Sequence, residues 1–175
     1  MITDVKTGNS VNFYFRKVEH DEITDNQYRP TGGWDFDWLK PITHSFEVYG
    51  LVTKNFSHEI QGLIALMPNY DPDFKCVDIE IIESAPANKK IVNGLDNPNR
   101  RYDGIGKCLV AFACQYSLDK ELEGFVELTS KTSKLDFYLN LGGTPTYGQN
   151  VMFSKHVAKH LSKKYFPGGI QWWKK

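Results

Sequence analysis

The sequence has no run of about 18 apolar residues, and this lack argues against a membrane-spanning helix. The opening segment MITDVKTGNS contains no apolar core of the kind that secretory signals carry, so no such signal is predicted. Cysteine is scarce: Cys76, Cys108 and Cys114 are odd in number, and no two form a C-x-x-C pair. These absences favour reduced thiols in a cytoplasmic protein. The length of 175 residues, without internal repeats, predicts a single domain over 1–175.

The net charge is zero, yet the charges are unevenly divided between the two halves of the chain. Residues 1–85 contain 7 Lys and Arg against 14 Asp and Glu, whereas residues 86–175 contain 14 against 7. Two interpretations remain open: the basic half binds a polyanion and the acidic half attracts a cation, or both are ordinary solvated surfaces. The neutral total argues against nucleic acid as a partner.

The apolar pattern predicts an α/β fold with a mixed sheet, because strands come first and then alternate with helices. Residues 19–45 are turn-rich and aromatic, and residues 85–101 are polar enough to predict a loop. Strands are predicted at 11–18, 46–53, 60–68, 76–84 and 125–130, with two short ones around TPTYG and NVMFS; helices are predicted at 105–121, 133–141 (capped by Ser133 or Thr132) and 156–166.

The most informative segment is the glycine loop, residues 101–107, with the sequence RYDGIGK. Two glycines before an amphipathic helix allow a tight turn, and the unpaired N–H groups of the first helical turn favour an anion. Arg101 and Lys107 add positive charge, so a pyrophosphate suits the loop. Neither the Walker A pattern nor the dinucleotide fingerprint fits, since Cys108 follows the lysine and Leu109 replaces the third glycine. A tight turn without a ligand remains the alternative.

Arg101-x-x-Gly104-x-Gly106 resembles the acetyl-CoA loop of the GNAT superfamily, Q/R-x-x-G-x-G/A, and FYLNLG at 137–142 resembles its F-Y-x-x-L-G signature. The resemblance covers roughly residues 46–155. Glu83-x-Ala85-Pro86-x-Asn88 is also similar to a bacterial subgroup of these proteins. The resemblance implies the GNAT-type acyl-CoA N-acyltransferase fold, a mixed and mostly antiparallel central sheet flanked by helices, in one N-acetyltransferase domain.

The resemblance further implies acetyl-CoA as the co-substrate, with its pantetheine arm between the fourth and fifth strands of the family. Backbone groups of Ile82, Glu83 and Ser84 would pair with that arm, and Lys131 could reach CoA as well. The pyrophosphate would be held by the Arg101 side chain and by backbone amides of the residues that follow it, namely Tyr102, Asp103, Gly104, Ile105, Gly106 and Lys107.

Direct attack of an amine on the thioester needs a neutral amine and a proton for the leaving thiolate. The resemblance assigns the proton donor to Tyr138, for which a buried core tyrosine is the alternative. Glu80 and Glu83 are equal candidates for the base, and Asp78 ranks third. Strand alternation places Asp78 and Glu80 on one face and Glu83 on the other. A salt bridge to a neighbouring strand is the alternative for each, because carboxylates in an apolar strand are costly unless paired or used.

The acceptor is the least defined part of the expected function. The pair of N-terminal helices that usually shapes the acceptor pocket in the family is not evident in residues 19–45. The aromatic cluster of Trp34, Phe36 and Trp38 either lines an acceptor pocket or closes one end of the sheet. The expected acceptor is a small-molecule or peptide amine, and a homodimer is compatible with the resemblance. No metal is expected, since His156 and His160 lack a third ligand. A catalytically inactive module that binds CoA or a partner protein is the alternative function, and the neutral charge argues against acetylation of charged tRNA.

Overall fold

The computed structural model describes residues 1–92 and 94–174, which form two compact units. The first unit contains residues 1–65 and 81–109 with the C-terminal tail from Gln171 onward. The second unit contains residues 66–80 and 110–170. A single domain over 1–175 stays a prediction.

All seven strands that the apolar pattern predicts are formed, and the structure adds five short ones that were not predicted. The described residues form β1 (Ile2–Asp4), β2 (Ser10–Val11), β3 (Phe13–Lys17), β4 (Glu47–Thr53), β5 (Gly62–Asn69), β6 (Cys76–Ser84), β7 (Ile91–Val92), β8 (Leu95–Asp96), β9 (Tyr102–Asp103), β10 (Val126–Thr129), β11 (Thr144–Pro145) and β12 (Asn150–Phe153).

Five α-helices are formed by the described residues, and the third is the longest. They are α1 (His20–Asp25), α2 (Leu39–Thr43), α3 (Ile105–Asp119), α4 (Leu135–Leu139) and α5 (Lys155–Tyr165). None of the described helices is long and apolar enough to cross a membrane.

Seven strands form a mixed sheet in the order β11-β12-β10-β6-β5-β4-β3. The pairs β3–β4, β10–β12 and β11–β12 are antiparallel, whereas β6 and β10 are parallel, as expected for strands joined through a helix such as α3. This mixed, mostly antiparallel sheet with flanking helices confirms the predicted fold class. Two smaller sheets have the orders β2-β1-β9 and β7-β8.

The core of the first unit is built largely from aromatic and β-branched side chains. Trp38 is fully buried and Trp34 nearly so, and their rings pack edge to face 6.1 Å apart. The same cluster contains Ile23 from α1 and Val48 and Val52 from β4. Residues 34–38, the aromatic segment, therefore close this core. This favours the interpretation that they cover one end of the sheet over the interpretation that they line an acceptor pocket.

The C-terminal tail belongs to the first unit because it pairs with β3. The Phe15 N–H donates to the Gln171 carbonyl and the Trp173 N–H donates to the Phe15 carbonyl, both at 2.8 Å. Trp173 also packs against the ring of Tyr14 at 5.1 Å. The tail tryptophans are thus used in docking on the chain itself.

In the second unit, local sequence accounts for where α5 begins and which face of it is buried. Ser154 caps α5 by accepting from the Val157 N–H at 3.5 Å, while Ala158 and Leu161 lie on the buried face of this helix. The exposed face carries His156 and other polar side chains, as an amphipathic helix requires.

Two predictions of local structure are wrong. Residues 85–101 are not an irregular loop: they include a 3-10 helix at Pro86–Asn88 and the β7–β8 hairpin, because Pro86 suits the first helical turn and the apolar residues Ile91, Val92 and Leu95 suit short strands. The helix predicted from 133 with a side-chain cap begins instead as a 3-10 turn, Thr132–Lys134, and α4 has no side-chain cap. The backbone provides the turn, since the Lys134 N–H donates to the Lys131 carbonyl at 2.8 Å.

Residues 19–45, where no helices are evident from sequence, contain two short ones, α1 and α2. Each is only five or six residues long, so the apolar period is too brief to read.

Gly62 in β5 provides a test of how closely α3 packs against this strand. A Cβ added there would lie 2.6 Å from Cγ2 of Ile105 and 3.1 Å from both the Glu83 carbonyl oxygen and Cδ1 of Leu109. We expect Gly62→Ala to lower the free energy of unfolding by about 1–3 kcal/mol through overpacking, measured by urea denaturation. A urea midpoint equal to that of the wild type would contradict this close packing.

Candidate active site

The glycine loop has the geometry that its sequence predicts. It leaves β9, turns at Gly104 with φ of +86°, and enters α3 at Ile105. A side chain at Gly104 would be strained by the positive φ, and its Cβ would lie 2.6 Å from the carbonyl oxygen of Met1. Glycine is therefore required here by conformation and by close packing.

The backbone N–H groups of the loop fall into two sets. Within the loop, the Tyr102 N–H donates to Asn88 Oδ1 at 3.0 Å, and the Gly104 N–H donates to Asp103 Oδ1 at 2.7 Å. Among the described residues, none accepts a hydrogen bond from the N–H groups of residues 105–107. These three amides form the first turn of a fifteen-residue helix, so they are available to an anion together with the helix dipole.

Asn88 is a positioning residue that sequence reasoning missed. Its side chain is buried and donates to the backbone and side-chain oxygens of Gln61, each at 3.0 Å, while accepting from Tyr102. It therefore ties the glycine loop to the start of β5. The only available signal was its place in the Glu83-to-Asn88 motif, which names the residue without indicating its partners.

Arg101 lies beside the loop and is already engaged. Its Nη1 is 2.5 Å from Oε2 of Glu59, and its guanidinium lies 4.2 Å from the centroid of the Phe56 ring. Lys107, the second predicted cation, is exposed on α3.

The strand predicted to contact pantetheine extends well beyond its pairing with β10. The parallel ladder joins Val126, Glu127 and Leu128 to the β6 residues 77–79. The ladder includes no residue of β6 after 79, although this strand continues to Ser84. Ile82 and Ser84 lie in this extension and are half-buried.

Glu83 is a buried carboxylate whose two oxygens are both occupied. Its exposed fraction is 5%. Oε1 accepts from the Asp35 N–H at 2.6 Å and pairs with Lys89 Nζ at 2.9 Å, while Oε2 accepts from Trp38 Nε1 at 3.0 Å. These contacts connect the end of β6 to the aromatic segment and to the 3-10 turn that precedes Lys89.

Lys89 completes this charge cluster. Its ammonium also contacts Asp35 Oδ1 at 2.7 Å and donates to the Gly33 carbonyl at 3.3 Å. Burial disfavours the charged ammonium, but the hydrogen bonds that it donates to Asp35 and Glu83, together with their negative charges, outweigh burial, so the pKa of Lys89 is raised above 10.5. The stabilisation is therefore present below pH 10.5 and is lost as the pH rises through the raised pKa.

The other two strand carboxylates lie in the second unit. Glu80 is exposed and Asp78 is half-buried, in line with the predicted alternation along β6. Asp78 accepts from the Cys76 thiol at 3.3 Å and stands opposite Glu127, and ligand atoms of these three side chains lie within 4.8 Å of one another. Burial raises the pKa of Cys76 to about 12, so its thiol stays protonated at neutral pH.

Tyr138 lies on α4 in the second unit and is half-buried against Phe137, with ring centroids 5.0 Å apart. Burial raises the pKa of its phenol above 10.0, so the phenol holds its proton at neutral pH. That protonation state is the one a proton donor needs. Lys131, the other predicted residue in this unit, is exposed.

Glu83→Gln tests whether the buried carboxylate is structural. We expect it to lower the free energy of unfolding by about 3 kcal/mol, because Lys89 would remain largely buried without its full charge partner. Glu80→Gln is a matched control on the exposed face of the same strand and should change stability by less than about 0.5 kcal/mol. Equal effects in chemical denaturation would contradict the assignment.

Neither a protein-family model nor a curated protein matches this chain. Solved structures do match its fold. The AtaTR complex bound with acetyl-CoA has a TM-score of 0.58 at 15% identity, covering 86% of this chain and 98% of that one. A Bacillus subtilis acetyltransferase in complex with CoA has a TM-score of 0.51 at 18% identity, covering 76% and 77%. AtaT complexed with acetyl-methionyl-tRNAfMet has a TM-score of 0.56 at 13% identity, covering 86% and 99%.

Sequence identities this low establish only that the fold is shared. The chemistry of this chain depends on its own residues. The chain has the mixed α/β fold of GNAT acetyltransferases, with a seven-stranded sheet flanked by helices.

Proposed function

We propose that this chain is an acetyl-CoA-dependent N-acetyltransferase that moves an acetyl group directly to an amine. The observation that carries the proposal is the glycine loop: Gly104 turns the chain so that α3 begins with three N–H groups that no described residue accepts from. This arrangement supplies an anion site in a fold whose solved examples include complexes with acetyl-CoA and CoA.

The donor set fits the phosphate groups of CoA. The amides of residues 105–107 would bind pyrophosphate oxygens, and Arg101 and Lys107 would add charge. Backbone groups of residues 82–84 lie beyond the ladder with β10 and would pair with the pantetheine arm. Lys131 is a further exposed cation for the same co-substrate.

The reaction transfers the acetyl group in one displacement. The acceptor nitrogen attacks the thioester carbonyl carbon, a C–N bond forms, and the C–S bond breaks. The amine loses a proton to a base, and the CoA thiolate receives one from an acid. Tyr138 is the proposed acid, because it occupies the tyrosine position of the F-Y-x-x-L-G signature and its phenol, with a pKa above 10.0, is protonated at neutral pH.

Glu83 and Glu80 differ in how readily each could act as the base. Glu83 would have to give up contacts with Asp35, Trp38 and Lys89 to accept a proton, which disfavours it. Glu80 is exposed on the opposite face, and no such cluster surrounds it among residues 1–92 and 94–174. We therefore propose Glu80, acting directly or through water, and assign Glu83 a positioning role.

A second candidate function is a catalytically inactive module of the same fold that binds CoA or a partner protein. It is favoured by the β7–β8 hairpin, which exposes Ile91 and Leu95 to 49% and 73%. Exposed apolar groups of this kind mark interaction surfaces when they cluster. This function predicts CoA binding without acetyl transfer to any amine of a broad panel.

Arg101→Ala should weaken acetyl-CoA binding by roughly tenfold, the loss expected for one charge-assisted contact, as measured by calorimetric titration. Lys17→Ala, which removes an exposed cation from β3, serves as the charge-matched control. Equal affinities for both variants would show that Arg101 does not contact the co-substrate.

Tyr138→Phe should lower turnover by about 10²-fold or more, since the general acid is lost, while acetyl-CoA affinity stays unchanged. The measurement is release of the CoA thiol with an amine found by screening, and the alkaline limb of the wild-type profile should lie above pH 10. Tyr147→Phe is the control, because Tyr147 is 88% exposed. A wild-type rate for Tyr138→Phe would remove this residue from the mechanism.

A further inference from the structure

Two carboxylates of the first unit lie at the anion site of the proposed function: one contacts Arg101, and the other accepts from the Gly104 N–H, directly before the amides of residues 105–107. The first is Glu59, whose Oε2 lies 2.5 Å from Arg101 Nη1. The two side chains are 56% and 31% exposed, so this ion pair lies at the surface, within reach of a ligand. The Phe56 ring covers the same guanidinium at 4.2 Å and restricts its position.

The second carboxylate is Asp103, within the glycine loop. Its Oδ1 accepts the Gly104 N–H at 2.7 Å and forms an ion pair with Arg100. Backbone pairing of Asp103 with Thr3 holds this residue in place. An anionic oxygen is therefore fixed at the turn that leads into the first amides of α3.

We propose that Glu59 and Asp103 are internal competitors of the CoA pyrophosphate, which set the affinity of the glycine loop for its co-substrate. This inference rests on the proposed function, because it concerns the same anion site. Carboxylate and phosphate oxygens are equivalent partners for guanidinium and amide donors, and a donor engaged by one is withheld from the other. Bound pyrophosphate would also be repelled by both carboxylates.

The expected size of the effect follows from the exposure of the ion pair. Exposed pairs are weak, so the Glu59–Arg101 contact lowers affinity without abolishing it. Removing the carboxylate charge of Glu59 should strengthen acetyl-CoA binding by about threefold to tenfold, from the released donor and the lost repulsion together. Asp103→Asn should act in the same direction.

Glu59 also couples the anion site to the loop between β4 and β5. In this loop the Glu59 N–H donates to the Phe56 carbonyl at 3.2 Å, so both contacts to Arg101 come from one turn. When Arg101 transfers to a phosphate oxygen, the turn loses its ion pair. Amides of residues 54–60 should then exchange with solvent faster in the acetyl-CoA complex.

The test is calorimetric titration of acetyl-CoA into the full chain and four variants: Glu59→Gln, Asp103→Asn, Arg101→Ala and the Glu59→Gln/Arg101→Ala double variant. Glu19→Gln is the control, because it removes one exposed acid of the same unit that pairs only loosely with Lys17, at 3.9 Å. We expect tighter binding for Glu59→Gln and Asp103→Asn only. In the Arg101→Ala background the gain from Glu59→Gln should shrink to about twofold or less.

The outcomes separate the inference from the proposed function. Binding by the wild type with equal affinity for Glu59→Gln, Asp103→Asn and Glu19→Gln would overturn the inference and leave the proposed function intact. Binding by Glu59→Gln or Asp103→Asn alone, with none by the wild type, would support it in its strongest form. If no variant binds acetyl-CoA or CoA, the proposed function fails and the inference fails with it.

Discussion

A single buried carboxylate organises the first unit. Glu83 cannot remain charged in an apolar interior unless donors surround it, and the fold supplies a backbone amide, an indole and an ammonium. Those donors come from segments far apart in sequence, so satisfying one charge fixes the aromatic segment against the end of β6. The same requirement holds Lys89 in place, and its chain neighbour Asn88 binds the glycine loop by accepting from the Tyr102 N–H.

The sequence predicted most of the sheet and the glycine loop because both depend on local patterns. Continuous apolar runs indicated β4, β5 and β6, and Gly104 indicated a turn that does require positive φ. The roles of Glu83 and Asn88 could not be predicted, since their partners are set by tertiary contacts that no spacing records. The short helices α1 and α2 were missed because five or six residues show too little periodicity.

These observations divide the polar residues by what they can do. Glu83 and Asn88 satisfy buried groups and hold position, whereas the amides at the start of α3 remain available. The half-buried phenol of Tyr138 keeps its proton at neutral pH. The buried polar groups therefore stabilise the fold, while backbone N–H groups at the start of α3 have no acceptor among the described residues. Such a helix terminus suits an anionic co-substrate. The identity of the acceptor rests on surfaces that the shared fold leaves variable.

The ion pair between Arg101 and Glu59 has a consequence for ionic strength. A cation that is bare before binding sheds its counterions when it meets a phosphate, and added salt then weakens the complex. Arg101 instead exchanges one anionic partner for another, and Glu59 acquires a cation from solution as the phosphate releases one. The net number of ions displaced is small, so association with a polyanionic co-substrate would depend on salt less steeply than the basic half of the sequence suggests.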